Sequence, residues 1–553
     1  MASDSNRFDF LVIGGGFAGL TAALRATELG LHVALLEKGE GTRYPCNSRM
    51  SGGIIHVCFR DIRRKPEELY DAIMAATLGE VSIAQAQTLA QNAARFVDWL
   101  TEHGARFMRF NMQEAYRWCL APPRSLTPGP DWVDRGPDRI LNELMKQFIA
   151  GGGRALFKTK ALRLTMAGRV CSGVVAERDG VESSYAAAAV LVADGGFQAD
   201  RNAFHEHIGP NFDAVFQRGA ASGLGDGIRM AAAAGARLTD RRPFYGHLLA
   251  REARDNEKLW PYPELDAFAT AGIIVGRDGR RLVDESAGGI AVANALAHLS
   301  DPGCATAVFD ADIWEGPGRA HRIPANPLLE AAGATIYRAD SIEDLARLIE
   351  VPAEILSATI IEHNAAVAHS DFAHLTPPRN GPLKAFAIQR VPYMAIRIVP
   401  GITYTMGGIE IDGSARVLAS DGAPIEGLFA AGATTGGLEG GGRSAYVGGI
   451  VKAGVFGLIA AEAVSRTTGK QMREVASARK TVRYPVLELI VRYGSAGALA
   501  LSALAGAFMW WLAWGVVGWP AIPIAAITAT IAYFIIRSYV EIVTLITEML
   551  IPK

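Results

Sequence analysis

The stretch "LVIGGGFAGLTAAL", Leu11 to Leu24, runs from an apolar strand through three glycines straight into an alanine-rich helix. Gly14, Gly16 and Gly19 stand at the G-x-G-x-x-G spacing, after a strand over Phe8 to Ile13 and before a helical run over Leu20 to Leu29. At that spacing the first glycine permits a tight turn, the second lets a pyrophosphate approach the backbone, and the third lets the helix pack on the strand. The helix N-terminus then offers N–H groups and partial positive charge to phosphates. A second apolar strand, in "HVALLEKG", ends at Glu37, about 20 residues beyond the motif, where a carboxylate accepts hydrogen bonds from ribose hydroxyls. A turn that merely packs helix on sheet explains the glycines and leaves Glu37 unexplained, so the stretch reads as a dinucleotide site.

The kind of dinucleotide follows from what comes later. No second fingerprint of the nicotinamide type is present: "AGGGRALF" and "SGLGDGIRM" carry glycines without the spacing after a strand. Instead "GLFAAGATTGG" (427–437) and "GGGRSAYVGG" (440–449) give a strand end, a glycine-rich loop and a helix from about Gly448. Such a loop brings backbone against a large flat ligand, and the new helix N-terminus faces an electron-rich edge. Two such junctions far apart in the chain suggest one long cofactor held at both ends, and FAD fits better than NAD.

Length and composition bound the rest. The 553 residues suffice for two or three domains, and a net charge of −1 gives no electrostatic case for nucleic acid. Cys46, Cys58, Cys119, Cys171 and Cys304 form no C-x-x-C pair, which reads as reduced thiols without a metal or cluster site. "MASDSNRFDF" enters the first strand without a charged n-region or apolar h-region, so no secretory signal is expected. Near the C-terminus, Gly494 to Trp519 is an uncharged run long enough to cross ~30 Å of hydrocarbon. A second run, Ala521 to Ile536, contains Pro523 and is marginal as a span unless it extends past Arg537. Trp510, Trp511, Trp514 and Trp519 suit interfacial anchors, and a buried core hairpin is the alternative. Lys480, Arg483 and Arg492 before the run place the main body in the cytoplasm, so a membrane-anchored protein contacting the lipid bilayer through its hairpin is expected.

The expected organisation is a first FAD-binding part (1–240), a capping or substrate domain (241–385) and a second FAD-binding part (386–465). A linker (466–493), polar over 466–482, and a membrane hairpin with tail (494–553) follow. The fold class is α/β: a Rossmann-like FAD-binding domain, an inserted α+β capping domain and a C-terminal transmembrane helical hairpin. Residues 121–132 read as a proline-rich loop.

Together "NSRMSGGI" (47–54), "ADGGF" (193–197), "GLGDGIRMA" (223–231), "GRRLVDES" (279–286), "TMGGIEID" (405–412) and the two glycine-rich junctions resemble the fumarate reductase/succinate dehydrogenase flavoprotein superfamily. Its members include 3-ketosteroid dehydrogenases, L-aspartate oxidase and tricarballylate dehydrogenase. The resemblance, from about Phe8 to Val464, implies hydride transfer between flavin and a carbon, with a proton moved at the adjacent carbon. It places FAD contacts at Gly14, Gly16, Phe17, Ala18, Gly19, Glu37 and Lys38, at Ser48, Ser51, Gly52 and Gly53, and at Asp194, Gly195, Gly196, Asp226, Gly432 and Gly449. Catalytic expectations are His247 as a substrate-binding histidine, Arg443 as a carboxylate clamp and Glu285 as a proton-relay glutamate.

Three positions depart from the superfamily pattern. Tyr404 stands where it has a histidine, Gly288–Gly289 where it has a relay arginine, and Trp314 where its acid/base arginine is sought. Tyr404 is expected to hydrogen-bond a carbonyl, or to act as acid/base if its pKa is lowered, with Tyr245 and Tyr446 as weaker candidates of the same kind. Cys46 lies where some relatives attach FAD through histidine, so the FAD is expected to be non-covalent. The implied activity is an FAD-dependent oxidoreductase acting on C–C single and double bonds of a small-molecule substrate, next to a carboxylate or carbonyl, with membrane quinone as electron partner. A ketosteroid-like enzyme and a non-catalytic flavoprotein subunit of a membrane complex remain as alternatives.

Overall fold

The computed structural model describes residues 6–110, 114–123, 129–320, 323–469 and 485–550. Residues 124–128 of the proline-rich loop and 470–484 of the expected linker lie outside the described residues, as do Lys480 and Arg483 and the side chain of Arg492. The chain forms two units, Met1–Ala105 with Phe110–Arg473, and Glu474–Lys553 with Arg106–Arg109.

In the first unit the strands Arg7–Ile13 and Val33–Leu36 pair in parallel, Phe10 opposite Val33. Parallel strands are covered on both faces and therefore read as unbroken apolar runs; all four residues of Val33–Leu36 are buried. Arg154–Leu156 extends the parallel set on one side, and Val181–Val192 followed by Pro424–Ala430 extends it on the other. The antiparallel strands Thr159–Ala167, Val170–Arg178 and Arg416–Leu418 complete an eight-stranded sheet. Pro424–Ala430 thus returns one strand away from Arg7–Ile13, with Val181–Val192 between them and parallel to both, which brings the two glycine-rich junctions to the same edge of the sheet.

Two helices cover this junction. Phe17–Glu28 leaves the first turn and Gly449–Thr468 leaves the second. They pack closely because the contact lacks side chains: a Cβ on Gly457 would lie 2.6 Å from the Ala18 carbonyl oxygen. On another side a Cβ on Gly454 would meet the Phe96 ring at 2.0 Å.

A six-stranded sheet forms the second layer. Its long strand, Tyr393–Thr405, pairs antiparallel with Thr306–Asp310 and Tyr337–Ala339 along its N-terminal half and with Phe244–Ala250 along its C-terminal half. Ile273–Val275 and Phe216–Gln217 complete it. The expected boundary at 385/386 falls just before this strand, whose pairing joins it to the segment expected as the cap.

The second unit is a pair of helices, Pro485–Val517 and Ala521–Leu550, joined through Gly518 at φ +63°. The first begins at Pro485, so residues 485–493, expected as linker, are helical. Pro523 falls in the first turn of the second helix, where its missing N–H breaks no hydrogen bond, and that helix runs past Arg537 to Leu550. Small residues set the crossing: a Cβ on Gly506 would lie 2.9 Å from Ala529 Cβ. Tyr493–Val517 and Ala521–Val543, 25 and 23 residues, are by length and composition sufficient to cross a bilayer. Trp511 is 72% exposed and Val516 85%.

Candidate functional site

At the first turn Gly14 sits at φ +97°, and a Cβ on Gly19 would lie 1.9 Å from the Gly14 carbonyl oxygen, so Gly19 is a packing glycine. Gly16 caps the helix at φ −74°, open to any residue, but its Cβ would lie 3.0 Å from Ser48 Oγ in the space before the helix. The Phe17 N–H donates to Ser48 Oγ at 3.0 Å, and Ser51 Oγ donates to the Ser48 carbonyl at 2.8 Å. Glu37 ends the second strand and takes the Gly15 N–H on Oε2 (2.9 Å) and the Gly39 N–H on Oε1 (2.7 Å). Each carboxylate oxygen keeps a lone-pair site for a ribose hydroxyl. Lys38 pairs with Asp226 at 3.2 Å, and Asp194 accepts from the Gly227 N–H at 2.7 Å. Burial pushes the Asp194 carboxyl up to about 6.

Phe17, Asn47, Ser48, Ala433 and Ala453 border both this cleft and a larger cavity of about 1430 Å³. A ligand gripped at the glycine turn therefore has a continuous path into the larger space. Donors at a helix N-terminus, a ribose-binding carboxylate and a glycine-lined cradle are the set that a long dinucleotide requires.

The larger cavity is walled by aromatic hydroxyls. The Tyr245 and Tyr446 rings stack with centroids 4.1 Å apart, and Tyr404 lies 5.4 Å from Tyr245. Tyr404 donates its proton to Glu439, 3.2 and 3.1 Å from the two carboxylate oxygens. Glu439 is buried and also accepts the Val447 and Gly448 N–H groups at 3.1 and 3.0 Å and Lys452 Nζ at 3.3 Å. Burial and the Glu439 charge hold the Tyr404 pKa well above its ordinary value. Tyr446 differs: its oxygen accepts the Gly449 N–H at 3.2 Å, which leaves its own proton free to donate. His247 bridges Tyr245 Oη (2.9 Å) and Asp266 (2.7 Å). Arg443 borders the cavity on an exposed loop, and its guanidinium forms no ion pair or hydrogen bond among the described residues.

The FAD binding domain family fits residues 9–445. The chain belongs to that family. It is 26% identical to NADH:acrylate oxidoreductase of Vibrio harveyi over 83% of this chain and 50% of that protein. It therefore spans about half the length of that relative. It is also 26% identical to 4-oxocyclohexanecarboxylate 2-dehydrogenase of Sinomonas cyclohexanicum over 81% of this chain and 90% of that one. Its fold matches the open conformation of a flavocytochrome c3 fumarate reductase with a TM-score of 0.60 at 24% identity, covering 84% of this chain and 78% of that one. The α/β flavoprotein fold and the FAD-binding character of the chain follow.

In this flavoprotein the expected cofactor residues divide between the two spaces. Gly14, Gly16, Phe17, Ala18, Glu37 and Lys38 border the cleft, as do Ser48, Asp194, Gly195, Gly196, Asp226 and Gly432. Ser51, Gly52, Gly53 and Gly449 border the larger cavity. Tyr404, His247 and Arg443 line that cavity together. Glu285 does not: it is fully buried beside Arg281 and Arg379 (3.3 Å) and accepts the Ile274 N–H at 2.9 Å. Trp314 packs on Phe268 and Phe309, away from the cavity. Burial and the Glu439 charge move the Tyr404 pKa upward, not downward, and its proton is committed to Glu439. Glu439, Asp266, Glu264 and Arg218 were not foreseen. A lysine inside the apolar run "GIVKAGVFG" was the available signal for the buried Lys452–Glu439 pair.

Proposed function

We propose that this chain interconverts a C–C single and double bond in a small oxo acid, holding its carboxylate at Arg443 and its carbonyl at Tyr446. The observation that carries the reading is one cavity offering both a guanidinium and a tyrosine proton that have no partner among the described residues. A guanidinium fork is the natural bidentate partner of a carboxylate. The Tyr446 oxygen accepts from the first turn of helix Gly449–Thr468 and so is polarised to donate toward a carbonyl. Tyr404, fixed by Glu439, walls the site and helps exclude water. The relative named for 4-oxocyclohexanecarboxylate carries both functional groups in its substrate name, which favours this class over a simple dicarboxylate.

FAD, held by the cleft residues, supplies the two-electron partner for hydride exchange at the carbon. Its attachment is proposed to be non-covalent: burial pushes the Cys46 thiol up to about 11, and a protonated thiol is a poor nucleophile. The exposed apolar hairpin supports a bilayer anchor, a cytoplasm-facing body and membrane quinone as electron partner. Removing residues after Thr468 should then release a flavin-loaded protein from membranes; a full-length chain that stays soluble without detergent contradicts the anchor.

Anaerobic titration of the purified holoprotein tests the substrate class. Bleaching of the flavin by 4-oxocyclohexanecarboxylate, and weaker bleaching by succinate, is expected. Bleaching by a saturated 3-ketosteroid alone would favour the hydrophobic-substrate alternative, for which the cavity's alanine and isoleucine lining speaks. Inertness to all three would favour a non-catalytic subunit.

A further inference from the structure

Tyr245 and His247 stand two residues apart on the strand Phe244–Ala250, where the register against Tyr393–Thr405 shifts between Tyr245 and Gly246. Such bulges re-aim side chains and concentrate next to active sites. Here the irregularity sits between two residues whose side chains touch, Tyr245 Oη lying 2.9 Å from His247 Nε2.

The protons along this line are fixed by what surrounds them. His247 Nδ1 faces two carboxylates, Asp266 at 2.7 Å and Glu264 at 3.4 Å. Ionised carboxylates only accept, so Nδ1 carries a proton, and in the neutral imidazole Nε2 is then an acceptor for the Tyr245 hydroxyl. Burial works to raise the Asp266 pKa, but His247, the Leu248 N–H and Arg218 outweigh it and hold the carboxyl below its ordinary value. Glu264 is itself paired with Arg218 at 2.6 Å, so the imidazole sees one strongly committed carboxylate and one shared one. His247, Glu264 and Asp266 could also be read as a cation site, their ligand atoms lying within 4.8 Å of one another. The Arg218 guanidinium, paired with Glu264, already supplies positive charge there.

Room for Asp266 comes from a glycine. A Cβ on Gly289 would lie 2.0 Å from Asp266 Oδ2, so any side chain at 289 would displace the carboxylate. Asp266 and Glu264 also border a second cavity of about 50 Å³, with Tyr116 and Tyr262 on its wall. That space has room for a water, which takes up roughly 30 Å³ in the liquid, and so offers the proton a place beyond the imidazole.

We propose that Tyr245 is the catalytic acid/base of the reaction proposed above, with His247 and Asp266 as positioning residues that form a proton relay behind it. This rests on the reading of the cavity as a site for C–C oxidation and reduction next to a carbonyl. In the oxidising direction, the C–H bond beside the carbonyl breaks and its proton goes to the Tyr245 oxygen. The Tyr245 hydroxyl proton passes to His247 Nε2, and the imidazolium is stabilised by Asp266. With FAD held at the cleft, the adjacent carbon would give up hydride to it, and the cofactor would take up the two electrons as the C=C bond forms. Burial, with Tyr446, Glu264 and Tyr262 adding to it and Arg218 opposing, keeps Tyr245 protonated at rest, so its proton leaves only as the substrate proton arrives.

The test uses the full-length holoprotein with 4-oxocyclohexanecarboxylate as probe. Tyr245→Phe should slow anaerobic flavin bleaching at least about 100-fold, with little change in probe affinity. Asp266→Asn and His247→Asn should slow it as well, again with little change in probe affinity, a split between rate and affinity that loss of the cavity's shape would not give. Independently of any substrate, histidine-selective 15N NMR should show a downfield Nδ1–H signal that disappears in His247→Asn and in Asp266→Asn and persists in Tyr245→Phe. Full bleaching rates in flavin-loaded Tyr245→Phe overturn the relay. So does an Nε2-protonated His247, which settles the matter even if a variant fails to take up flavin. If the wild type is not bleached by the probe, the substrate reading fails, while the NMR result still decides the relay.

Discussion

The dinucleotide cleft and the substrate cavity share a wall, yet they are built in different ways. The cleft takes its grip from backbone: one turn, two helix N-termini, and glycines whose missing side chains leave room. The cavity takes its grip from side chains that arrive on separate segments, with His247, Asp266, Glu439 and Arg443 meeting only through the six-stranded sheet and the second glycine-rich loop. A backbone site leaves a spacing in the sequence. A side-chain site leaves scattered residues whose partners only the fold reveals.

That contrast predicts unequal responses to substitution. The largest is Gly16→Val. Its φ of −74° tolerates valine and folding should survive, but the branched side chain occupies the space the pyrophosphate needs. The purified variant should be colourless, and normal flavin content by absorbance would break the assignment of the cleft.

Next in size is Lys452→Met. Lys452 and Glu439 are both buried and paired at 3.3 Å, and removing one partner of a buried pair costs about 3–5 kcal/mol. Denaturant unfolding should show that loss, and Lys452→Met/Glu439→Gln should recover part of it because no charge is stranded. Equal stability in wild type and single variant would show that the pair does not hold the cavity wall.

Smaller is Arg443→Lys, which keeps the charge and loses the planar fork. Losing a charge-assisted hydrogen bond costs about 1.5–3 kcal/mol, roughly a 10- to 150-fold rise in KM for an oxo acid with kcat less affected. Steady-state kinetics measure it, and an unchanged KM would remove Arg443 from the site.

The same contrast explains what was legible in the sequence. The strand–turn–helix at Leu11–Leu24, the acid at Glu37 and the return of the chain at Gly427–Gly449 were readable because periodic apolar runs and glycine spacing are local. The C-terminal helices were readable for the same reason, although Pro523 obscured how far the second one runs. Glu285 was carried over from a motif, but a motif does not report neighbours, and it is buried beside Arg281 and Arg379. Tyr404 lines the cavity, but nothing local in the sequence announces that Glu439 takes its proton. Asp266 stands beside His247 through a fold contact that no spacing encodes.

The claim that one cavity grips two functional groups is tested most directly with three related rings. Anaerobic flavin bleaching is followed with 4-oxocyclohexanecarboxylate, with cyclohexanone, which lacks the carboxylate, and with cyclohexanecarboxylate, which lacks the carbonyl. Fast bleaching by the first and little by the other two is the predicted result. Cyclohexanone bleaching as efficiently as the oxo acid would contradict the account, because the Arg443 end of the cavity would then contribute nothing.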